Sequence, residues 1–133
     1  MYLPEHQNTA WQNSKEINVK KCAILVIDLL GGSLGNIPAL DGAVKNAVKI
    51  VNRGRELNIP VIFSCDAHIK GLDKELELWG EHGIKGTEAA KPLAAFHVTE
   101  KDFIVPKRRY SGFYQTDLDL LLKELGVDTL IAF

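Results

Sequence analysis

Cys22–Ile27 reads CAILVI, an unbroken run of apolar residues rich in branched side chains. A strand with one wet face alternates apolar and polar residues. A continuous run instead suits a strand covered on both faces, as in a parallel sheet. Three more runs of this kind follow at 60–64 (PVIFS), 103–105 (FIV) and 129–133 (TLIAF). Between the first two, Val44, Val48 and Val51 recur at i, i+4 and i+7 with Ala47 beside them, which predicts an amphipathic helix over about 40–57, ended by Asn58. Before the fourth run, Leu118, Leu121, Leu122 and Leu125 make a second stripe. Thr116 with Asp119 resembles a capping box at its start, and Gly126 suits the C′ position at its end. Strands alternating with helices predict an α/β fold with a mostly parallel sheet.

The segment between the second and third runs is long and irregular. Glu75–Trp79 suits one helical turn and 88–95 a short helix, with His82, Gly83 and Gly86 marking a loop. Pro106 is expected to stop the third strand, and Gly31, Gly32, Gly35 and Pro38 to make a loop after the first. Residues 1–20 have no clear period and read as an irregular arm packing through Trp11 and Ile17.

Composition narrows the function. The 133 residues are 46% hydrophobic and 25% charged, the balance of one globular domain. Sixteen basic residues against 17 acidic ones give a net charge of −1, with no basic excess to hold nucleic acid. The longest apolar stretch, 22–30, is interrupted by Asp28 and too short to span a bilayer. Residues 1–20 lack the apolar core of a secretory signal, and two cysteines do not make a disulfide framework. A cytoplasmic protein with no membrane partner is expected.

Open α/β sheets bind and react at the carboxyl ends of their strands. Asp28 follows the first run, Asp66 and His68 the second, and Lys107, Arg108 and Arg109 the third. Each alone has an ordinary reading as a turn residue or a solvated charge. Together they deliver two carboxylates and an amine to one sheet edge, a set suited to acid–base work. Cys65 lies within a strand and Cys22 at the wrong end of one, so neither makes a convincing nucleophile. Asp66, His68 and His82 offer the ligand count of an open metal site, although turn and loop roles for the two histidines are the commoner reading of such spacing. The two arginines suit either an anion or a solvated face, and Tyr110 and Phe113 are candidate walls for a planar ligand. His6 and His97 have no partner in sequence.

The pattern Ala-Ile-Leu-Val-Ile-Asp28, Cys-Asp66-Ala-His68, Trp-Gly-Glu-His82-Gly and Val-Pro-Lys107-Arg-Arg-Tyr-Ser-Gly-Phe113 resembles the isochorismatase-like cysteine hydrolases, and among them the nicotinamidase branch. The resemblance implies a Rossmann-like sheet with helices on both faces. Residues 1–21 would be the arm and 22–133 the hydrolase domain, lacking the C-terminal part of the sheet. It implies a Cys–Asp–Lys triad that hydrolyses a small amide such as nicotinamide. Asp28 would be the general base and Lys107 its cationic partner. The family cysteine would fall just beyond Phe133, so the 133-residue chain alone is expected to be inactive. By the same resemblance Asp66, His68 and His82 would hold a divalent metal, zinc above all. The partners expected are a small-molecule amide and either further copies of the chain or a complementing C-terminal chain. After Asp28 the family's Asn-Asp-Phe-like run is replaced by Leu-Leu-Gly-Gly. Competing readings are an isochorismatase-like hydrolase of another substrate, a non-catalytic assembly unit, and a receiver-type signalling domain with Asp66 as phosphate acceptor.

Overall fold

A computed structural model describes residues 17–32 and 38–133. Four strands, β1 (Cys22–Ile27), β2 (Val61–Asp66), β3 (Phe103–Lys107) and β4 (Thr129–Ala132), form one sheet in the order β3-β2-β1-β4. All three pairings are parallel. The helices are α1 (Asp41–Glu56), α2 (Glu75–Trp79) and α3 (Leu118–Glu124).

The pleat sorts the strand residues into two cores. Cys22, Ile24, Val26, Val61, Phe63 and Cys65 pack with Ala47 and Val51 of α1. Ala23, Leu25, Ile62 and Val105 pack on the other face with Leu118 and Leu122 of α3. Each central strand thus has a covering helix on either side, which is why β1 and β2 read as unbroken apolar runs. Leu118 is fully buried; truncation to Ala would leave a cavity costing about 2–5 kcal/mol. Both covering helices close with the same C-terminal device. Asn58 (φ 56°) and Gly126 (φ 66°) adopt the left-handed conformation after α1 and α3. Ile59 then donates to Gly54 O, and Val127 to Leu122 O, satisfying carbonyls of the last turns.

Three local expectations need correction. Pro106 does not end β3; it pairs in register with Cys65, and Lys107 with Asp66. β3 is an edge strand, and a proline lacking its N–H is tolerated there. The capping box does not form, because α3 begins at Leu118. Thr116 donates its hydroxyl back to Gly112 O, although its Oγ1 still accepts the Leu118 N–H at 3.2 Å. The helix expected at 88–95 is two single 3-10 turns, Glu88–Ala90 and Ala94–Phe96, on either side of Pro92.

The Leu-Leu-Gly-Gly segment has a packing role. Gly31 and Gly32 donate to Lys91 O and Ala89 O, and a Cβ on Gly32 would lie 2.5 Å from the Ala89 Cβ. Only glycine lets the two segments approach this closely. Trp11 lies outside the described residues, and Ile17 is 53% exposed.

Candidate active site

The parallel register brings the ends of β1, β2 and β3 level, and their charged residues meet there. Asp28 takes a left-handed φ of 51°, tolerated in Asp better than in most side chains. Its N–H still bonds to Ser64 O at 3.0 Å, so the strand end is held while the chain turns away. The Lys107 ammonium lies 2.9 Å from Asp28 Oδ2 and donates a short hydrogen bond to Asp66 Oδ1. Asp28 Oδ1 accepts the Asp66 N–H at 3.2 Å. Lys107 is only 3% exposed, whereas the Asp28 side chain is 33% exposed. Burial alone would depress the amine. The hydrogen bonds and charges of Asp66 and Asp28 outweigh it and raise the Lys107 pKa, so the ammonium persists. One buried cation therefore serves two carboxylates, one of which opens to solvent.

Neither cysteine joins this group as a nucleophile. Burial, with the nearby charges of Asp28 and Asp66, pushes the Cys65 thiol up to about 12. A thiol so protonated is inert. Cys22 is buried at the opposite end of β1, its thiol also raised by burial and by Asp128.

Beyond β2 a one-residue bridge extends the sheet. His68 N donates to Gly83 O and Lys85 N to His68 O, both at 2.9 Å, pairing His68 with Ile84. Gly83 (φ 49°) passes so close that its Cβ would lie 2.5 Å from the Asp66 Cβ. This contact folds His82 back over the strand end. His68 Nε2 and His82 Nε2 each lie 3.7 Å from an Asp66 carboxylate oxygen, and the imidazole centroids are 4.8 Å apart. Donor atoms of Asp66, His68 and His82 all fall within 4.8 Å of one another. His82 Nδ1 lies 2.8 Å from Gly80 O; donating its proton there leaves Nε2 a lone pair facing the cluster. His68 is fully buried, and neither ring nitrogen has a hydrogen-bond partner among the described residues. Buried orphan nitrogens beside a carboxylate and a second imidazole fit a divalent ion such as zinc.

The sequence reading missed Asp73. It carries no motif, and its partner is 35 residues away. Its buried carboxylate receives the guanidinium fork of Arg108, whose hydrogen bonds hold it well below the usual carboxylate range. The anion met by this arginine is thus the protein's own. Tyr110 is 84% exposed and Phe113 49%. Neither lines the cavity of about 280 Å³ beside the segment after β3, whose aromatic wall is Tyr114.

Among the described residues no helix is long and apolar enough to cross a membrane. The Isochorismatase domain model matches residues 22–133. The chain is 31% identical over 124 residues to the uncharacterised isochorismatase family protein YwoC of Bacillus subtilis, covering 90% of this chain and 65% of that protein. It is 35% identical over 125 residues to the ureidoacrylate amidohydrolase RutB of Agrobacterium fabrum, covering 79% of this chain and 54% of RutB. The structure of N-carbamoylsarcosine amidase from Thermoplasma acidophilum superposes with a TM-score of 0.79 at 29% identity, over 85% of this chain and 66% of the amidase. The chain thus spans about two thirds of the length of YwoC and of the amidase. These matches favour the hydrolase over the receiver-type reading. By sequence and fold, the chain belongs to the isochorismatase-like hydrolase family.

Proposed function

We propose that the chain carries the acid–base half of a cysteine hydrolase that cleaves a small amide, nicotinamide being one such substrate. The observation that carries this reading is the buried Lys107 ammonium shared by Asp28 and Asp66 at the ends of three strands. Asp28, the more open carboxylate, would be the general base that takes the thiol proton. Lys107 lies 2.9 Å from that carboxylate and would offset the negative charge that develops on the thiolate after transfer. The thiolate would attack the amide carbonyl. The proton held on Asp28 would leave with the amine, and water would then cleave the thioester.

The nucleophile is proposed to be a cysteine on a segment following β4. The Phe133 carbonyl accepts the Ile27 N–H at 2.8 Å, which sets the end of β4 beside the end of β1 that carries Asp28. Asp66, His68 and His82 would hold the divalent ion, which would supply Lewis-acid polarisation or substrate orientation. RutB and the Thermoplasma amidase bear names that refer to carbamoyl compounds, which widens the proposed substrate class from carboxamides to N-carbamoyl amines.

Ammonia release from nicotinamide and from an N-carbamoyl amino acid, measured beside an intact-mass determination, tests the proposal. The verified 133-residue chain is expected to be inactive, and a chain that carries the proposed cysteine active. Full activity from the 133-residue chain, unaffected by alkylation of Cys22 and Cys65, would overturn the assignment of the nucleophile.

A further inference from the structure

Asp73 lies in the turn between β2 and α2, and its side chain has no exposure to solvent. A buried carboxylate is costly unless it is paired and hydrogen-bonded. Here it accepts the Ile69 N–H at 2.8 Å and Arg108 Nε at 3.0 and 3.1 Å, with a further short bond from Arg108 Nη2. Its Oδ2 also lies 3.5 Å from His68 Nδ1, and His68 has no exposure either. A neutral imidazole carries one N–H, placed by the acceptor it faces. Three carboxylates face this ring. Asp73 is nearest, on the Nδ1 side; Asp66 Oδ1 at 3.7 Å and Glu75 Oε2 at 4.0 Å face Nε2. Asp66 Oδ1 is already engaged by the Lys107 ammonium, and the Glu75 side chain is one-fifth exposed and partly solvated. Asp73 is therefore the nearest acceptor and the driest.

We propose that Asp73 is a positioning residue for His68. Across the 3.5 Å to its Oδ2, short of a formed hydrogen bond, it orients the neutral ring with the N–H on Nδ1 and leaves the Nε2 lone pair turned toward Asp66 and His82. Through Arg108 it also ties the residue next to Lys107 to the same carboxylate, registering the histidine cluster against the ammonium. The inference rests on the metal-site reading above, but the tautomer is measurable without metal.

The test uses the intact protein and the variants Asp73→Ala and Arg108→Gln. Nitrogen-15 NMR of the His68 ring, metal-free and at a pH where imidazole is neutral, is expected to find the proton on Nδ1 in the wild type. Asp73→Ala should move it to Nε2 or to a mixture. Zinc affinity, read by chelator competition, should fall about 10–100-fold in Asp73→Ala. Arg108→Gln keeps the carboxylate beside His68 and should lose less. If the alanine variant fails to fold, the double variant Asp73→Leu, Arg108→Leu replaces the pair with apolar groups and should show the same tautomer change. A wild-type proton on Nε2, or an unchanged tautomer and zinc affinity in a folded Asp73 variant, overturns the proposal. A wild type that binds no zinc but shows the tautomer change overturns the metal reading and leaves the positioning role standing.

Discussion

Two of the buried cation–carboxylate clusters among the described residues differ in their charge balance. On the flank, Arg55 holds Asp102 bidentately at 3.2 and 2.7 Å and donates to Phe96 O at 2.9 Å. Asp102 also accepts the Thr99 N–H at 2.8 Å. That pair is one to one, and its geometry pins α1 to the loop before β3. At the strand ends a single ammonium faces two carboxylates, one a third exposed and borne on a left-handed residue. A balanced pair can be satisfied from within, and it stabilises. The strand-end trio leaves one carboxylate a third exposed, which suits the proposed general base.

The largest effect on stability should come from Lys107→Met. It leaves Asp28 and Asp66 facing each other without a cation, at a cost of about 3–5 kcal/mol. Urea unfolding reads this directly, and a loss below about 1 kcal/mol would make the trio no different from a surface pair. Breaking the flank pair should cost less. Asp102→Asn is expected to lose about 1.5–3 kcal/mol, the value of a charge-assisted hydrogen-bond set.

The same comparison can be drawn with pH. Desolvation alone would raise the Asp102 pKa, but the Arg55 and Thr99 hydrogen bonds lower it below its ordinary value. The stability it adds is complete above the unfolded carboxylate value near ~3.9 and is lost as pH falls through the lower native value. The Lys107 pKa is raised, so its contribution is complete below the unfolded amine value near ~10.4 and is lost as pH climbs through the higher native one. Acid unfolding should therefore be blunted in Asp102→Asn, and alkaline unfolding in Lys107→Met. Identical limbs in variant and wild type would break the distinction. The smallest effect is expected of Cys65→Ala, a loss of about 1 kcal/mol of packing in urea unfolding.

The strand-end residues were legible in sequence because a parallel sheet fixes where apolar runs must end. Asp28, Asp66 and Lys107 each follow such a run, so topology alone set them on one edge. His82 was legible only as a motif; the bridge from His68 to Ile84 that carries it back depends on a glycine contact no pattern announces. Asp73 was not legible, since its burial depends on an arginine across the sheet edge. Pro106 was misread because edge position is a property of the assembled sheet. Thr116 was misread because its hydroxyl turns back to Gly112.

The central claim is that Asp28 is a base held ready by Lys107. It is tested most directly by Asp28→Asn in a chain that carries the proposed cysteine, with amide hydrolysis and unfolding measured on the same preparation. The account predicts a rate lower by about 10²–10⁴-fold in a protein that remains folded. An Asp28→Asn protein that hydrolyses the amide at the wild-type rate would contradict it.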